Sequence, residues 1–408
     1  MTHANDILIV GGGLNGPALA LALATSGFQV TLVDALPVDR LRSTDFDGRA
    51  YALALASKRM LAALGLWDSL GADSQPVLDI IASDGRPGEG PSPFTLHFDH
   101  AEIEEGPMGY MLEDRYLRRS LLSAMAAHPR IETQYGKRVV AQDILPNRVK
   151  ITLDDSQVLE GALLVGCDGR ESPTAKRAGI GRRFHGYRQT ALVSAISHEK
   201  PHHGAAHQFF MPNGPLGILP LPGNRSSIVW AESDARADMI RALPDAAYLA
   251  ELRPRFGSYL GDIRLEGLRF AYPLNLTIAE RFTAERLALV GDAAHGMHPL
   301  AGQGLNMGLR DVAALAEVLI EAKRRGEDVT SSQVLDRYSQ WRRFDTLAMA
   351  GATDGINRLF SNDNPVLRAG RDIGLGLVGA IPALRRGLMR EAAGLNGDLP
   401  RLLQGRAI

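Results

Sequence analysis

Apolar positions along this chain follow two periods, and the first 34 residues use both. Asp6–Val10 is a short apolar strand pattern, Leu14–Thr25 repeats apolar positions at helical spacing, and Gln29–Val33 returns to the strand pattern. Strand, helix and strand in that order predict a βαβ unit with parallel neighbouring strands. Gly27 stands between the helix and the second strand, where a residue tolerant of positive φ commonly ends a helix. Asp47–Leu66 and Leu117–Ala127 carry dense apolar faces interrupted by Arg or Lys, which predicts two further helices. Between them, residues 75–110 are rich in Pro and Gly with alternating apolar positions such as Phe94, Leu96 and Phe98, which predicts strands and turns of a different layer.

Val149–Leu153 and Ala162–Val165 read as strands, and Phe184–Pro273 is a second β-rich stretch, with strands at Gln208–Met211, Gly217–Leu221 and Ser227–Ala231. The chain is thus expected to leave a nucleotide-type fold twice and return. Leu287–Val290 is then a buried strand, and Leu305–Arg325 a long helix whose last turn carries Lys323, Arg324 and Arg325 before Gly326, as a helix C-terminus prefers. The closing stretch after 345 is helical in pattern.

Length and composition narrow the class. At 408 residues the chain suits two or three domains, and its 45 basic against 46 acidic side chains give no global field that favours nucleic acid. A single cysteine, Cys167, excludes an intrachain disulfide framework and a multi-cysteine metal site, and it fits a reducing compartment. The opening MTHANDILIV reads as a first strand rather than a targeting signal. The longest largely apolar run, Ile373–Leu384, has 12 residues, short of the roughly 20 that a spanning helix needs.

Three motifs carry chemistry. Gly11-Gly12-Gly13-Leu14-Asn15-Gly16 follows a strand and opens a helix. Gly11 permits the tight turn, Gly13 lets a pyrophosphate approach the backbone, and Gly16 allows close helix–sheet packing, with the helix N-terminus presenting free N–H groups to the phosphates. Asp34 ends the second strand 18 residues after Gly16, where a carboxylate accepts hydrogen bonds from ribose hydroxyls. This unit alone does not separate FAD from NAD. The second motif, Gly291-Asp292-Ala293-Ala294-His295, is followed by His298-Pro299-Leu300-Ala301-Gly302-Gln303-Gly304-Leu305-Asn306. A strand-end carboxylate binds polyol hydroxyls, and a glycine-rich loop running into a helix stabilises the negative charge of a reduced flavin. Two histidines three apart are also a metal pair, but no third ligand recurs at metal-like spacing. Asp292 is expected to matter more than His295. The third motif, Gly166-Cys167-Asp168-Gly169-Arg170-Glu171-Ser172, is by itself a common structural turn. His202, His203 and His207 read as solvated loop residues.

In this order the three motifs resemble those of the group A flavoprotein aromatic hydroxylases, related to para-hydroxybenzoate hydroxylase. Within them the chain is most similar to the ubiquinone-biosynthesis hydroxylases, through Asp47-Gly48-Arg49-Ala50-Tyr51-Ala52-Leu53, Leu64-Gly65-Leu66-Trp67, the run His298 to Asp311, Arg337-Tyr338, Arg342-Arg343, Leu359-Phe360-Ser361-Asn362 and Gly397-Asp398-Leu399-Pro400-Arg401-Leu402. The resemblance spans nearly the whole chain except the β-rich middle. It implies an α/β fold: a Rossmann-like FAD-binding domain (1–74, 111–180 and 271–345), an interleaved β-sheet substrate domain (75–110 and 181–270) and a C-terminal helical region (346–408). Gly11, Gly13 and Gly16 would hold the FAD pyrophosphate, Asp34 the adenosine ribose, Gly291 and Asp292 the ribityl chain. The loop with Pro299, Gly302, Gln303, Gly304, Leu305 and Asn306 would hold the flavin ring. Arg49 would lie beside the flavin or pyrophosphate, against a plain reading as a helix-surface Arg, and Asp168 and Gly169 would serve FAD and NAD(P)H. Arg115 is a further nucleotide candidate, against a plain reading as an exposed Arg on a helix first turn. Two departures stand out: Asp34 replaces a usual Glu, and Cys167 a commoner Ala.

The resemblance also implies the reaction. NAD(P)H reduces FAD, molecular oxygen forms a flavin C4a-hydroperoxide, and an oxygen atom passes to the ring of a polyprenylated phenol, with no side chain assigned as a general base. Three alternatives stay open: an FAD-dependent hydroxylase of another phenolic metabolite, a same-fold isoprenoid reductase, and a non-catalytic FAD-fold protein that binds lipidated partners. No metal and no nucleic acid are expected. A cytoplasmic protein is expected, peripheral at the inner membrane surface where it meets its lipid substrate, with other ubiquinone-biosynthesis proteins or a second copy as partners. For Ile373–Leu384 the plain expectation is a buried helix; the alternative is an interfacial patch flanked by Arg368, Arg371, Arg385, Arg386 and Arg390.

Overall fold

The computed structural model describes residues 5–46, 48–86, 88, 90–297, 302–361, 374 and 376–408. The chain begins β1 (Asn5–Val10), α1 (Asn15–Thr25), β2 (Val30–Asp34), α2 (Val38–Leu41), β3 (Ala50–Ala54), α3 (Leu55–Ala63), α4 (Trp67–Leu70), β4 (Ser74–Val77), β5 (Asp79–Arg86), β6 (Gly90–Asp99), β7 (Gly109–Glu113) and α5 (Asp114–Ala127). It continues β8 (Ile131–Tyr135), β9 (Val139–Leu145), β10 (Arg148–Leu153), β11 (Val158–Gly166), α6 (Pro173–Arg177), β12 (Arg182–His198), β13 (Ala205–Met211), β14 (Gly214–Leu221), β15 (Arg225–Ser233), α7 (Asp234–Arg241) and α8 (Asp245–Phe256). It ends β16 (Ile263–Ala279), β17 (Thr283–Ala284), β18 (Leu287–Leu289), β19 (His295–Gly296), α9 (Gln303–Arg324), α10 (Ser332–Phe360) and α11 (Pro382–Ala392).

One sheet runs β17-β18-β11-β1-β2-β8, with β10 and β9 extending from β11. Its central pairs, β18–β11, β11–β1, β1–β2 and β2–β8, are parallel. Ile7, Leu8 and Ile9 are fully buried, as a strand covered on both faces requires. Helix α1, with Ala and Leu on every side, is buried from Gly16 to Ala24 between that sheet and α9; its small residues let α9 approach closely. A second sheet, β19-β16-β12-β15-β14-β13-β5-β6, is antiparallel except for the β13–β5 pair. A small third sheet, β3-β7-β4, joins the two regions.

Four expectations change. Asp47–Leu66 is not one helix: Ala50–Ala54 is a strand paired antiparallel with β7, and only then does α3 begin. Alanine favours helix intrinsically, but cross-strand pairing overrides a propensity of a few tenths of a kcal/mol, or about that. The β-rich stretch Phe184–Pro273 also holds α7 and α8, whose Ile240, Tyr248 and Leu252 pack with Trp230 in a separate core. His202 is no solvated loop residue, since both ring nitrogens are engaged, and His207 lies half-buried in β13 beside Phe209 and Tyr259. The Ile373–Leu384 run does not bury as expected: of its described residues, Leu377 is 58%, Ile381 41% and Leu384 45% exposed. Leu388 continues that stripe one turn later, and Val378 instead packs on the core. Among the described residues no helix is long and apolar enough to cross a membrane.

Candidate flavin site

The glycine turn between β1 and α1 closes as its sequence requires. Gly11 has φ 115°, and a Cβ there would meet the Cys167 carbonyl oxygen at 2.3 Å. A Cβ on Gly16 would lie 1.9 Å from the Gly11 oxygen, so both glycines are fixed by close backbone approach. Around Gly13 nothing lies within 4 Å of a built Cβ, which leaves the open side of the turn for a phosphate. The α1 N-terminus has no side-chain cap and no acid in its first turn, so its leading N–H groups point there without competition. Asp34, at the end of β2, lies against this turn: its carboxylate accepts from Gly12 N–H and, at 2.7 Å, from Leu36 N–H. These residues fit an ADP moiety.

In the same sheet, two strands from β1, β18 leads to a second turn at Gly291, and α9 beyond it repeats the device. Helix α9 starts after Gly302, at φ 66°, again with no side-chain cap and no acid in the first turn. A Cβ on Gly302 would meet Ala52 Cβ at 3.0 Å, so this helix start lies against β3, directly after Arg49. Asn306 makes that docking specific. Its Oδ1 accepts from Ala54 N–H (2.9 Å) and Ser57 Oγ–H (2.8 Å), and its Nδ2 donates to the Ala52 and Gly302 oxygens (2.8 and 3.2 Å). With four hydrogen bonds inside the protein, Asn306 shapes the cradle rather than offering a free group to a ligand. Gln303, Gly304 and Leu305 follow Gly302 in the first turn, and Pro299 and His298 lie outside the described residues.

The turn after β11 serves differently from its motif. Asp168 accepts from Ser172 Oγ–H (2.6 Å) and Thr174 N–H (2.9 Å), so its carboxylate organises the start of α6, while Gly169 at φ 83° makes the turn. The neighbour Arg170 is the side chain that crosses to the second loop. Its Nε donates to Asp292 at 3.0 Å and a terminal nitrogen to the Met297 oxygen at 3.2 Å. Arg182, its guanidinium lowered from the ordinary arginine value by burial, donates to the Asp292 and Ala293 carbonyls from the other side. Asp292 itself is 38% exposed and has its other oxygen available to a ribityl hydroxyl. Behind the loop, Asp311 is fully buried and accepts from Gly291 N–H (2.9 Å), His295 (2.6 Å) and Arg342 Nε (2.8 Å). Burial raises the Asp311 carboxyl, but His295 and Arg342 outweigh it and hold it below the usual carboxylate range.

Arg49 precedes β3 rather than lying on a helix, 3.3 Å from Asp114, which also binds Tyr51 and Arg118. Arg115 is not an exposed helix arginine. It donates to buried Glu113 (2.7 Å), to the Thr44 oxygen (2.8 Å) and to Tyr116, and stacks on the Tyr116 ring, so it anchors the segment leading to Arg49. Glu113 takes a second cation, Arg225 of β15, at 2.8 Å. Sequence reasoning missed Asn15. Its side chain is wedged where a Cβ on Gly291 or Gly308 would lie, 2.1 and 2.4 Å from Nδ2, and so locks α1 to α9 beneath the second loop. The signal was Gly308, a glycine in the interior of a helix, where the missing side chain needs a neighbour to explain it.

A family model described as "FAD binding domain" matches residues 4–350. The chain is 47% identical over 403 residues to "Ubiquinone hydroxylase UbiL" of Rhodospirillum rubrum, covering 98% of this chain and 92% of that protein. It is 36% identical to "3-demethoxyubiquinol 3-hydroxylase" of Escherichia coli, covering 96% and 98%. Its fold is that of p-nitrophenol 4-monooxygenase PnpA from Pseudomonas putida DLL-E4, with a TM-score of 0.80 over 97% of this chain and 99% of that one at 21% identity. With two uncapped helix starts, a glycine turn and a strand-end carboxylate arranged for one dinucleotide, and with relatives of this kind along its full length, the chain belongs to the FAD-binding family of ubiquinone-biosynthesis hydroxylases.

Proposed function

We propose that the chain is an FAD-dependent monooxygenase that hydroxylates the aromatic ring of a polyprenylated phenol in ubiquinone biosynthesis, with NAD(P)H as electron donor and O2 as co-substrate. The observation that supports this reading is the acid-free, uncapped start of α9 held against β3 by Asn306, a positive helix end of the kind that stabilises the negative charge of a reduced flavin. FAD, when bound, supplies the redox chemistry and the activation of oxygen. The chain's own residues bind and orient: Gly11, Gly13 and Gly16 with Asp34 hold the adenosine half, Gly291 and Asp292 the ribityl chain, Gly302 to Leu305 the ring, with Arg49 and the Asp168–Gly169 turn beside them. Residues 75–110 and 181–270 hold the substrate, and apolar side chains there such as Leu96, Phe98 and Phe210, the last packed on Phe360 of α10, suit an isoprenoid tail better than they suit a small polar phenol. The test is NAD(P)H-dependent oxygen consumption with hydroxylated product from a prenylated phenol, joined to mass spectrometry of the quinone precursor that accumulates when the gene is deleted. Reduction without oxygen insertion supports the isoprenoid reductase instead, and FAD binding without turnover the non-catalytic rival.

A peripheral position at a lipid surface is supported by one observation. Leu377, Ile381, Leu384 and Leu388 repeat at helical spacing and are all exposed, with Arg386 beside them. Such a stripe, rather than the core-facing Val378, would enter the lipid interface. Replacing these four residues with Ser is expected to lower flotation with anionic liposomes and turnover of long-tailed substrates, leaving FAD content unchanged. A second copy of the chain covering the stripe would appear instead as a dimer that the same variant dissociates.

A further inference from the structure

We propose that His295 and Asp311 are positioning residues for the ribityl-binding loop Gly291–Gly296, acting through a chain of alternating charges that runs from this loop to the C-terminal tail. The inference rests on the reading of that loop as part of the FAD site. The chain is buried at His295, Asp311 and Arg342 and becomes partly exposed at Asp345 and Arg310. Asp311 accepts from His295 at 2.6 Å and from Arg342 at 2.8 Å. Arg342 donates to Asp345 at 2.6 Å, Asp345 faces Arg310 at 3.6 Å, and Arg310 donates to the Asn396 oxygen at 2.7 Å.

What marks this network as more than a core ion pair is the place where it ends. One carboxylate oxygen of Asp311 accepts from both the Gly291 N–H, at 2.9 Å, and His295, so it grips the loop at its first residue and near its last. Asp292 is the residue after Gly291 in that grip. The backbone of His295 is tied as well, pairing with Ile278 of β16. The loop therefore has few independent ways to move, and the carboxylate that faces the ribityl chain inherits its position from Asp311. Buried charged groups arranged this way rarely stabilise a fold better than apolar residues would, which makes a role in fixing geometry the more economical account of their presence. Arg255 and Glu232 provide the contrast. They form a similarly buried pair at 3.3 Å between α8 and β15, and their polar partners among the described residues, Glu251, Trp230 and Arg236, belong to neither loop.

The experiment compares three variants of the full chain: His295→Gln, the paired replacement Asp311→Leu with Arg342→Met, and Arg255→Met as a purely structural control. Each is measured for thermal stability, for the Kd of FAD added to the deflavinated protein, and for the midpoint potential of bound FAD by dye equilibration. His295→Gln and the paired variant are expected to weaken FAD by about tenfold, within the range for side chains that act on a ligand without touching it, and to shift the potential. Arg255→Met is expected to lower the melting temperature and leave both FAD readouts unchanged. If the paired variant does not fold, His295→Gln, which keeps the Asp311–Arg342 pair, carries the test alone. FAD affinity and potential within twofold of the wild type in a folded His295→Gln variant overturn the proposal. A wild-type protein that binds no FAD overturns the reading beneath it instead.

Discussion

The two strand–loop–helix units of the proposed FAD cradle are built on opposite principles. At Gly11–Gly16 the geometry comes from missing side chains: Gly11 and Gly16 are fixed by backbone approach, and Gly13 leaves the open side. At the Gly291–Gly296 loop and the start of α9 the geometry comes from side chains, with Asp311, Arg170 and Arg182 fixing the loop and Asn306 tying the helix start to β3. The first unit is written in six consecutive residues; the second is written in tertiary structure. A turn made of glycines tolerates little change at a few positions, whereas a loop held by a network spreads its sensitivity over residues that never meet the ligand.

The comparison breaks first at Gly13. Gly13→Val has room to fold, since nothing lies within 4 Å of a Cβ there, but it occupies the approach of the pyrophosphate. The variant is expected to melt near the wild-type temperature with FAD content, read from visible flavin absorbance, below about a tenth of normal; a folded variant with full FAD would sink the assignment of this turn. In the second unit the heaviest loss belongs to Asn306→Ala. It orphans the buried Ala54 N–H and loosens β3 from the α9 start, costing about 2–3 kcal/mol in denaturant unfolding and lowering flavin content with it. If stability falls while flavin affinity holds, β3 and the helix start are less coupled than their hydrogen bonds imply.

Asp292→Ala is expected to do less to the fold, because this carboxylate is partly exposed, and to weaken FAD by about 1–3 kcal/mol in equilibrium titration. The smallest effect lies outside both units. Burial pushes the His207 imidazole down from 6.5 to about 4, so the folded state favours the neutral ring. Above the unfolded value the ring is neutral in both states and costs nothing; as pH falls from about 6.5 towards about 4 the unfolded chain takes the proton first, and stability is lost over that window. His207→Gln should flatten this part of the stability profile without altering FAD content at any pH, and a profile unchanged by the substitution would show that another group sets it.

How much was legible follows the same divide. The βαβ opening, the buried strand before Gly291 and the long helix ending at Gly326 were readable because periodicity and punctuation are local properties. The tight turn at Gly11 and the close packing at Gly16 were readable for the same reason. Ala50–Ala54 was not, since its strand character exists only through pairing with β7, and α7 and α8 were hidden inside a stretch judged by its strands. Arg115 and Asn306 were singled out correctly as special positions but given ligand roles, whereas their partners are Glu113, Thr44, Ala52 and Ala54. A sequence shows that a polar residue has a reason to be there; only the fold shows whether that reason is a ligand or a neighbour.

Asn15 carries a consequence for how such chains can diverge. Its amide fills the space that side chains at positions 291 and 308 would need, so the three residues behave as a key and its two-part lock. A larger residue at 308 becomes tolerable only after position 15 has shrunk, and position 291 is held further by its left-handed backbone at φ 63°. Lineages descended from a common ancestor of this chain should therefore show substitutions at 15 and 308 arriving together or in one order only, small residue first. A library that randomises both sites at once should recover folded pairs that neither single-site library contains.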